Sequence, residues 1–139
     1  KTLWIAHSAH GWAGNRGIQK ITWKGQLPPD LLSINLTPKG FSMTFTVPMD
    51  RESVTDPDNF STKVDAYSYH QSYGSPQVNK ETRQPSKVTV SDDGKTILLE
   101  YEEMTARRVY EFNLGSLLTD EGGKLVNSLV VYHAHNLRK

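Results

Sequence analysis

The sequence predicts an all-β fold, and more specifically an antiparallel β-sandwich with an N-terminal segment of irregular chain and short strands. First, apolar residues alternate with hydroxyl residues over positions 41–47, which places one side of a strand in a core. Second, no stretch keeps a sustained helical period. Third, strand-like runs recur at intervals of roughly 8–12 residues with Gly, Pro and Asp between them, a spacing typical of sandwiches.

The N-terminal 25 residues differ in pattern from the rest of the chain. Residues 2–6 and 18–23 read as two short strands, and the segment between them has glycines at positions 11, 14 and 17 and too little regularity for a strand. We therefore divide the chain into an N-terminal segment, 1–25, and a sandwich domain, 26–139.

In the sandwich domain, the central strand is predicted from Phe41 to Val47. Pro48 closes it, because proline cannot donate a hydrogen bond to a sheet. Ile34 and Leu36 lie two apart before a Thr-Pro-Lys-Gly turn, so this run should form a hairpin with the central strand. Further strands are predicted at 62–68, with its facing left open, and at 87–90, 96–101, 109–114 and 129–132. Residues 70–86 are predicted to be a long polar excursion, residues 56–60 a single helical turn, and residues 91–94 and 119–123 tight turns.

Composition excludes several functional classes. The 139 residues carry 16 Lys and Arg against 15 Asp and Glu, for a net charge of +1, and no basic stripe suggests nucleic-acid binding. Cysteine is absent, which rules out disulfides and thiolate chemistry. No apolar run reaches the roughly 20 residues needed to cross a bilayer. There is no nucleophile elbow or phosphate loop, so we predict neither an enzyme nor a bound cofactor.

Five stretches together resemble a bacterial Ig-like domain: Gly40–Asp50, Asn59–Phe60, Ser91–Leu99, Val109–Phe112 and Leu118–Gly123. In that family the strand ending in Pro-Met-Asp opens the sandwich, and an Asp-x-Gly-Gly turn precedes the closing strand. The resemblance implies that the predicted fold is an Ig-like antiparallel β-sandwich.

A narrower resemblance is carried by Gly11-Trp12, Gly17–Gly25, Tyr73–Val78 and Tyr132–Asn136. These residues are similar to the C-terminal tail of large secreted proteins built on a glucose or sorbosone dehydrogenase-like β-propeller. His135 departs from that pattern, which has an apolar residue there. The resemblance implies a non-catalytic accessory domain that is secreted, periplasmic or on the cell surface. Its expected partners are other domains of the parent protein, among them a β-propeller. It also implies that any oxidoreductase activity belongs to the parent.

The densest group of aromatic residues is the candidate ligand site. Tyr69, His70 and Tyr73, with Trp12 as a further platform, have the flat faces and polar tips that suit sugar rings. A carbohydrate-binding module is therefore the first alternative function. The other interpretation is that these tyrosines cap the sandwich edge while their loop packs on a neighbouring domain. Trp4, Trp12 and Trp23 would then anchor the N-terminal segment to the sandwich or to a propeller blade.

A metal-binding or redox domain is the second alternative. Its ligands would come from four histidines, one pair near each end of the chain: His7, His10, His133 and His135. Acidic pairs invite a calcium interpretation, but each lies in a predicted turn, where aspartate bonds its own backbone, so turn formation is the favoured reading. The acids concerned are Asp56, Asp58, Asp92, Asp93, Asp120 and Glu121.

Overall fold

A computed structural model describes residues 2–7, 17–25 and 27–138. The described chain is almost entirely β-structure, with one α-helix of five residues and one 3₁₀ helix of four. The strands are β1 (Thr2–His7), β2 (Gly17–Thr22), β3 (Leu31–Thr37), β4 (Gly40–Phe45), β5 (Thr62–Tyr67), β6 (Gln77–Arg83), β7 (Lys87–Val90), β8 (Thr96–Glu100), β9 (Arg108–Asn113) and β10 (Leu129–Ala134). The helices are α1 (Arg51–Thr55) and the 3₁₀ helix (Pro57–Phe60).

Strands β3 to β10 form two four-stranded antiparallel sheets. One has the order β3-β4-β8-β7 and the other the order β10-β9-β5-β6. If the strands from β3 onward are lettered A to G, with β6 as C′, these orders read A-B-E-D and G-F-C-C′. That is the strand arrangement of immunoglobulin sandwiches. The predicted Ig-like antiparallel sandwich is confirmed.

The core lies between the two sheets, and Phe41 is at its centre. Phe41, Met43 and Phe45 are all buried on one face of β4, as the alternation predicts. The Phe41 ring makes edge-to-face contacts with Tyr110, Phe112 and Tyr132, with centroids 5.1–5.3 Å apart. Those three aromatic residues belong to β9 and β10, so a single ring of one sheet joins it to two strands of the other.

The central strand is shorter than predicted. It ends at Phe45, two residues before Val47, because the chain then bonds to the segment that precedes β3. The Thr46 backbone N–H donates to the Asp30 carbonyl at 3.0 Å, and its hydroxyl donates to the Pro28 carbonyl at 2.7 Å. These bonds replace the ladder that a longer strand would need.

The long polar excursion predicted over residues 70–86 contains a strand that was not predicted, β6, which forms the edge of the second sheet. β6 pairs with β5 from Tyr67↔Gln77 to Thr62↔Arg83. Val78 is its single apolar residue, and six of its seven residues are polar. An edge strand with little buried surface needs no apolar alternation, so the sequence pattern could not reveal it.

A tyrosine hydroxyl fixes the loop between β8 and β9. Tyr110 is fully buried, and its hydroxyl bonds to Thr105 twice. The Thr105 N–H donates to Tyr110 Oη at 2.9 Å, and the Tyr110 hydroxyl donates to the Thr105 carbonyl at 3.1 Å. A tyrosine on strand F that bonds to the backbone a few residues upstream is the tyrosine corner of Ig-like sandwiches.

A second buried tyrosine bonds across the core. The Thr62 hydroxyl donates to the Phe60 carbonyl at 2.8 Å, which leaves the Thr62 oxygen free to accept from the Tyr101 hydroxyl, 2.7 Å away. Burial raises the pKa of Tyr101 to about 12, and the hydrogen bond with Thr62 opposes that shift only in part.

Candidate interaction surfaces

Strands β1 and β2 form a hairpin of their own, and its large apolar side chains face solvent. The strands pair from Thr2↔Thr22 to His7↔Gly17 and share no sheet with the sandwich. Ile18 is 72% exposed and Trp4 62% exposed, and Leu3, Ile21 and Trp23 are also exposed. Trp4 and Trp23 are thus exposed over about half of their surface or more, and their role as anchors to the sandwich or to a propeller blade stays a prediction.

Both faces of this hairpin carry large apolar side chains. Directly opposed residues share a face, so Leu3 and Ile21 lie on one side, while Ala6 and Ile18 lie on the other. Trp4 shares the second face with Lys20, whose Nζ lies 5.6 Å from the centre of a Trp4 ring. Strands that are apolar on both sides are typical of sheets covered on both faces. The hairpin thus presents two surfaces of the kind that other proteins bury.

The aromatic residues predicted to bind a ligand lie on the loop between β5 and β6. Tyr69 is 99% exposed, Tyr73 is equally free of neighbours, and His70 is also exposed. The base of the loop is closed by the Ser68 N–H, which donates to Ser75 Oγ at 2.9 Å. The structure thus brings these three residues to one solvent-facing loop, while Trp12 lies outside the described residues. Ligand binding by this set stays a prediction.

Of the four candidate metal-binding histidines, only two have side chains within the described structure. His133 and His135 are adjacent, with ring centroids 5.5 Å apart, and Tyr67 packs edge-on against His133 at 5.4 Å. His10 and the side chain of His7 lie outside the described part. In residues 2–7, 17–25 and 27–138, no three His, Asp or Glu side chains are grouped to hold a metal ion.

Several of the acids considered for calcium take part in local structure. Asp56 accepts from the Asp58 N–H at 2.9 Å and begins the 3₁₀ helix. Asp93 accepts from the Ser91 hydroxyl and the Lys95 N–H, and these bonds lower the pKa of Asp93 below its ordinary value. At both turns the turn-forming interpretation agrees with the hydrogen bonds.

A polar groove on the second sheet contains a functional candidate that the sequence did not single out. The groove has a volume of about 420 Å³ and runs along β5 and β6. Asp65, which lines it, is only 6% exposed as a whole residue and makes no hydrogen bond or ion pair within the described residues, and its carboxylate oxygens meet solvent, because no buried side-chain oxygen there lacks a partner. An aspartate in a strand is itself unfavourable, and that was the one sequence signal available.

No protein-family model and no curated protein matches the chain. Among solved structures, the chain is similar to the S-layer protein rSbsC(31-844), with a TM-score of 0.56 and 21% identity. It is also similar to surface layer protein SbsC, domains 1-6, with a TM-score of 0.54 and 22% identity. Each match covers 77% of this chain and 14% of the other. At these identities the likeness shows the fold alone.

Neither helix in the described part of the chain is long and apolar enough to span a membrane.

Proposed function

We propose that this chain is a non-catalytic interaction domain of a larger protein that is secreted or held at the cell surface, and that it packs against a neighbouring domain through the β1–β2 hairpin. The observation that carries the proposal is the exposure of large apolar side chains on both faces of that hairpin.

The physical argument concerns the stability of the hairpin. A two-stranded hairpin alone is marginally stable in water. Fully burying one Leu, Ile or comparable side chain contributes about 1.5–3 kcal/mol, so covering Leu3, Trp4, Ile18 and Ile21 would contribute several kcal/mol. A covering domain is therefore the ordinary way for such a pair of strands to persist.

The surface location is supported by the solved structures of similar fold. Both are named as surface-layer proteins, and in both the region like this chain is a small part of a much longer polypeptide. A sandwich used as one module of a large surface protein fits a role in packing and spacing rather than in chemistry.

The finer proposal is that the neighbour is a β-propeller of the sugar-dehydrogenase type. It is supported by the resemblance of Gly17–Gly25 to the end of such a propeller, and this range includes the whole of β2. A strand pair that is covered on both sides carries apolar side chains on both faces, and the hairpin has such side chains on each of its faces.

The experiment measures binding in trans between the 139-residue chain and the remainder of its parent protein, produced separately. We expect Ile18→Lys and Leu3→Lys, one on each face of the hairpin, to weaken binding at least about tenfold, because each puts a charge into an apolar contact. Tyr69→Ser, on the loop after β5, is the control and should bind as the wild type does. Unchanged affinity in both hairpin variants would refute the proposal.

Carbohydrate binding is the second candidate, and the full exposure of Tyr69 and Tyr73 favours it. Two tyrosine faces without protein neighbours are free to stack on sugar rings. Affinity electrophoresis in gels containing soluble polysaccharides tests this, with Tyr69→Ala/Tyr73→Ala as the variant. We expect retardation of the wild type that the double variant loses. Equal mobility of both proteins in every polysaccharide would eliminate this function.

A further inference from the structure

We propose that β10 is a self-association edge, along which two copies of this chain pair their β10 strands antiparallel about a twofold axis. The pairing joins the second sheets of the two copies into one continuous sheet. This interface is separate from the hairpin, so it goes beyond the proposed function and does not rest on it.

The sandwich has four edge strands in the described part of the chain, β3, β7, β6 and β10, and three of them discourage pairing with another chain. β3 has an irregular register between Leu31 and Ser33, and β6 has a bulge, an extra residue opposite Asp65. β7 is only four residues long and begins with the exposed Lys87. Short edges, bulges and lysines are ordinary means by which β-proteins avoid edge-to-edge contact.

β10 has none of these features. Its six residues pair with β9 without a break from Leu129↔Asn113 to Ala134↔Arg108, and it contains no proline, lysine or carboxylate. Its outward side chains include Leu129, which is 61% exposed, and Val131, which is 57% exposed. A regular edge strand with exposed apolar side chains is a template for a further strand.

The backbone of β10 offers hydrogen-bonding groups to such a strand. The Ser128 carbonyl accepts at 2.7 Å from the N–H of the residue that follows β9, so Ser128 bonds toward β9. Because residues of an antiparallel strand alternate in direction, the N–H and C=O groups of Leu129, Val131 and His133 point to the open edge. The His133 carbonyl accepts there from the His135 N–H at 3.1 Å, and its second lone pair can accept another bond.

A second copy fits this edge because the strand is complementary to itself. With Val131 opposite Val131 of the second copy, Leu129 lies opposite His133, and each pair exchanges backbone hydrogen bonds. Directly opposed residues share a face, so the exposed apolar side chains of the two copies form one row. Like charges that oppose each other are destabilising, and β10 has no lysine or carboxylate to meet its own copy.

The contact is small, so the dimer should be weak. One added strand pair buries less than the roughly 1,200–2,000 Å² of a stable interface. We therefore expect a Kd on the order of 10–100 μM. Because each copy has one such edge and the twofold pairing occupies it, association should stop at two copies.

Sedimentation velocity of the 139-residue chain, from about 5 μM to about 1 mM, brackets the expected Kd. We expect a monomer–dimer equilibrium. The amide protons of Leu129 and Val131 should exchange more slowly as the dimer fraction rises, and this measurement needs no variant. A monomer over the whole range, growth beyond the dimer, or exchange of these two amides that does not depend on concentration would overturn the proposal.

Val131→Lys and Val131→Glu test the register. Each variant places like charges opposite one another across the twofold axis and should weaken dimerisation at least about tenfold. A mixture of the two variants should dimerise more tightly than either alone, because position 131 opposes itself. Val131 is exposed, so both variants should keep the far-UV circular dichroism of the wild type. Dimerisation that survives in both variants, or a mixture no tighter than its components, would contradict the assignment.

Two controls separate β10 from the rest of the surface. Thr89→Lys changes an exposed residue of another edge strand, β7, and Ile18→Lys changes the hairpin, so both should dimerise as the wild type does. Equal weakening by Thr89→Lys and Val131→Lys, or a dimer lost in Ile18→Lys but kept in Val131→Lys, would exclude β10. Self-association of this chain alone can fail while its binding to the parent protein succeeds, and the reverse.

Discussion

Replacing Tyr110 with phenylalanine removes one oxygen atom from the interior and leaves the ring where it is. The ring contacts Phe41 with centroids 5.1 Å apart, and the hydroxyl makes two hydrogen bonds to the backbone of Thr105. The substitution therefore tests the hydrogen bonds of the tyrosine corner separately from the aromatic packing of the core.

The expected loss of stability follows from those two bonds. A hydrogen bond contributes about 0.5–1.5 kcal/mol net, and a buried group left without its partner costs about 1–3 kcal/mol. Thr105 is half-buried, so water reaches its freed N–H and carbonyl in part and the cost stays toward the lower end of these ranges. We expect Tyr110→Phe to reduce the free energy of unfolding by about 2 kcal/mol.

Urea denaturation, followed by far-UV circular dichroism, measures the free energy of unfolding of each variant. Tyr132→Phe is a matched control, because Tyr132 contacts the same Phe41 ring but its hydroxyl makes no hydrogen bond within the described residues. Its free energy of unfolding should change by less than about 0.5 kcal/mol. If Tyr110→Phe and Tyr132→Phe cost the same, the corner contributes no stability of its own and the reasoning is refuted.

Three other substitutions or conditions test the core. Phe41→Ala should cost about 3–5 kcal/mol in urea denaturation, because it removes the ring that joins the two sheets, and a loss below about 2 kcal/mol would contradict that role. Gly40→Ala should cost at least about 2 kcal/mol, since the new Cβ would lie 2.0 Å from the Leu99 carbonyl oxygen, and wild-type stability would show that the two strands are not so close. Because the folded pKa of Tyr101 is raised to about 12, the unfolded chain loses this proton first, and stability should fall between pH 10 and pH 12 by up to about 2 kcal/mol more in wild type than in Tyr101→Phe. Parallel stability curves for these two proteins over that range would rule out a raised pKa.

The sequence predicted the inner strands well because their burial leaves a period of two. Phe41, Met43 and Phe45 of β4, and Ile97 and Leu99 of β8, alternate with polar or half-buried residues and are all buried. The tight turn at Gly94 was also predictable, since its φ of 69° is one that glycine adopts without strain.

Elements at the edge of the fold were not predictable in this way. β6 has a polar sequence, and α1 is only five residues long, held by the Asp50 carboxylate that accepts from the Ser53 N–H at 2.8 Å. A helix this short leaves no apolar period to detect in the sequence.

The candidate sites show the same limit. Tyr69 and Tyr73 lie close together in the sequence, so the aromatic loop could be predicted from the sequence alone. The groove beside Asp65 depends instead on the bulge opposite this residue and on the ion pairs of the two neighbouring glutamates. Both are properties of the paired strands, and no local pattern encodes them.

Amide hydrogen exchange of residues 2–7 and 17–22, compared between the isolated 139-residue chain and the complete parent protein, tests the proposed role most directly. Exchange in this hairpin should be fast in the isolated chain and at least about tenfold slower in the parent, because a neighbouring domain then covers it, while β4 and β8 keep the same protection in both. Equal exchange of the hairpin in the two proteins would contradict the proposal that this domain packs through its apolar faces.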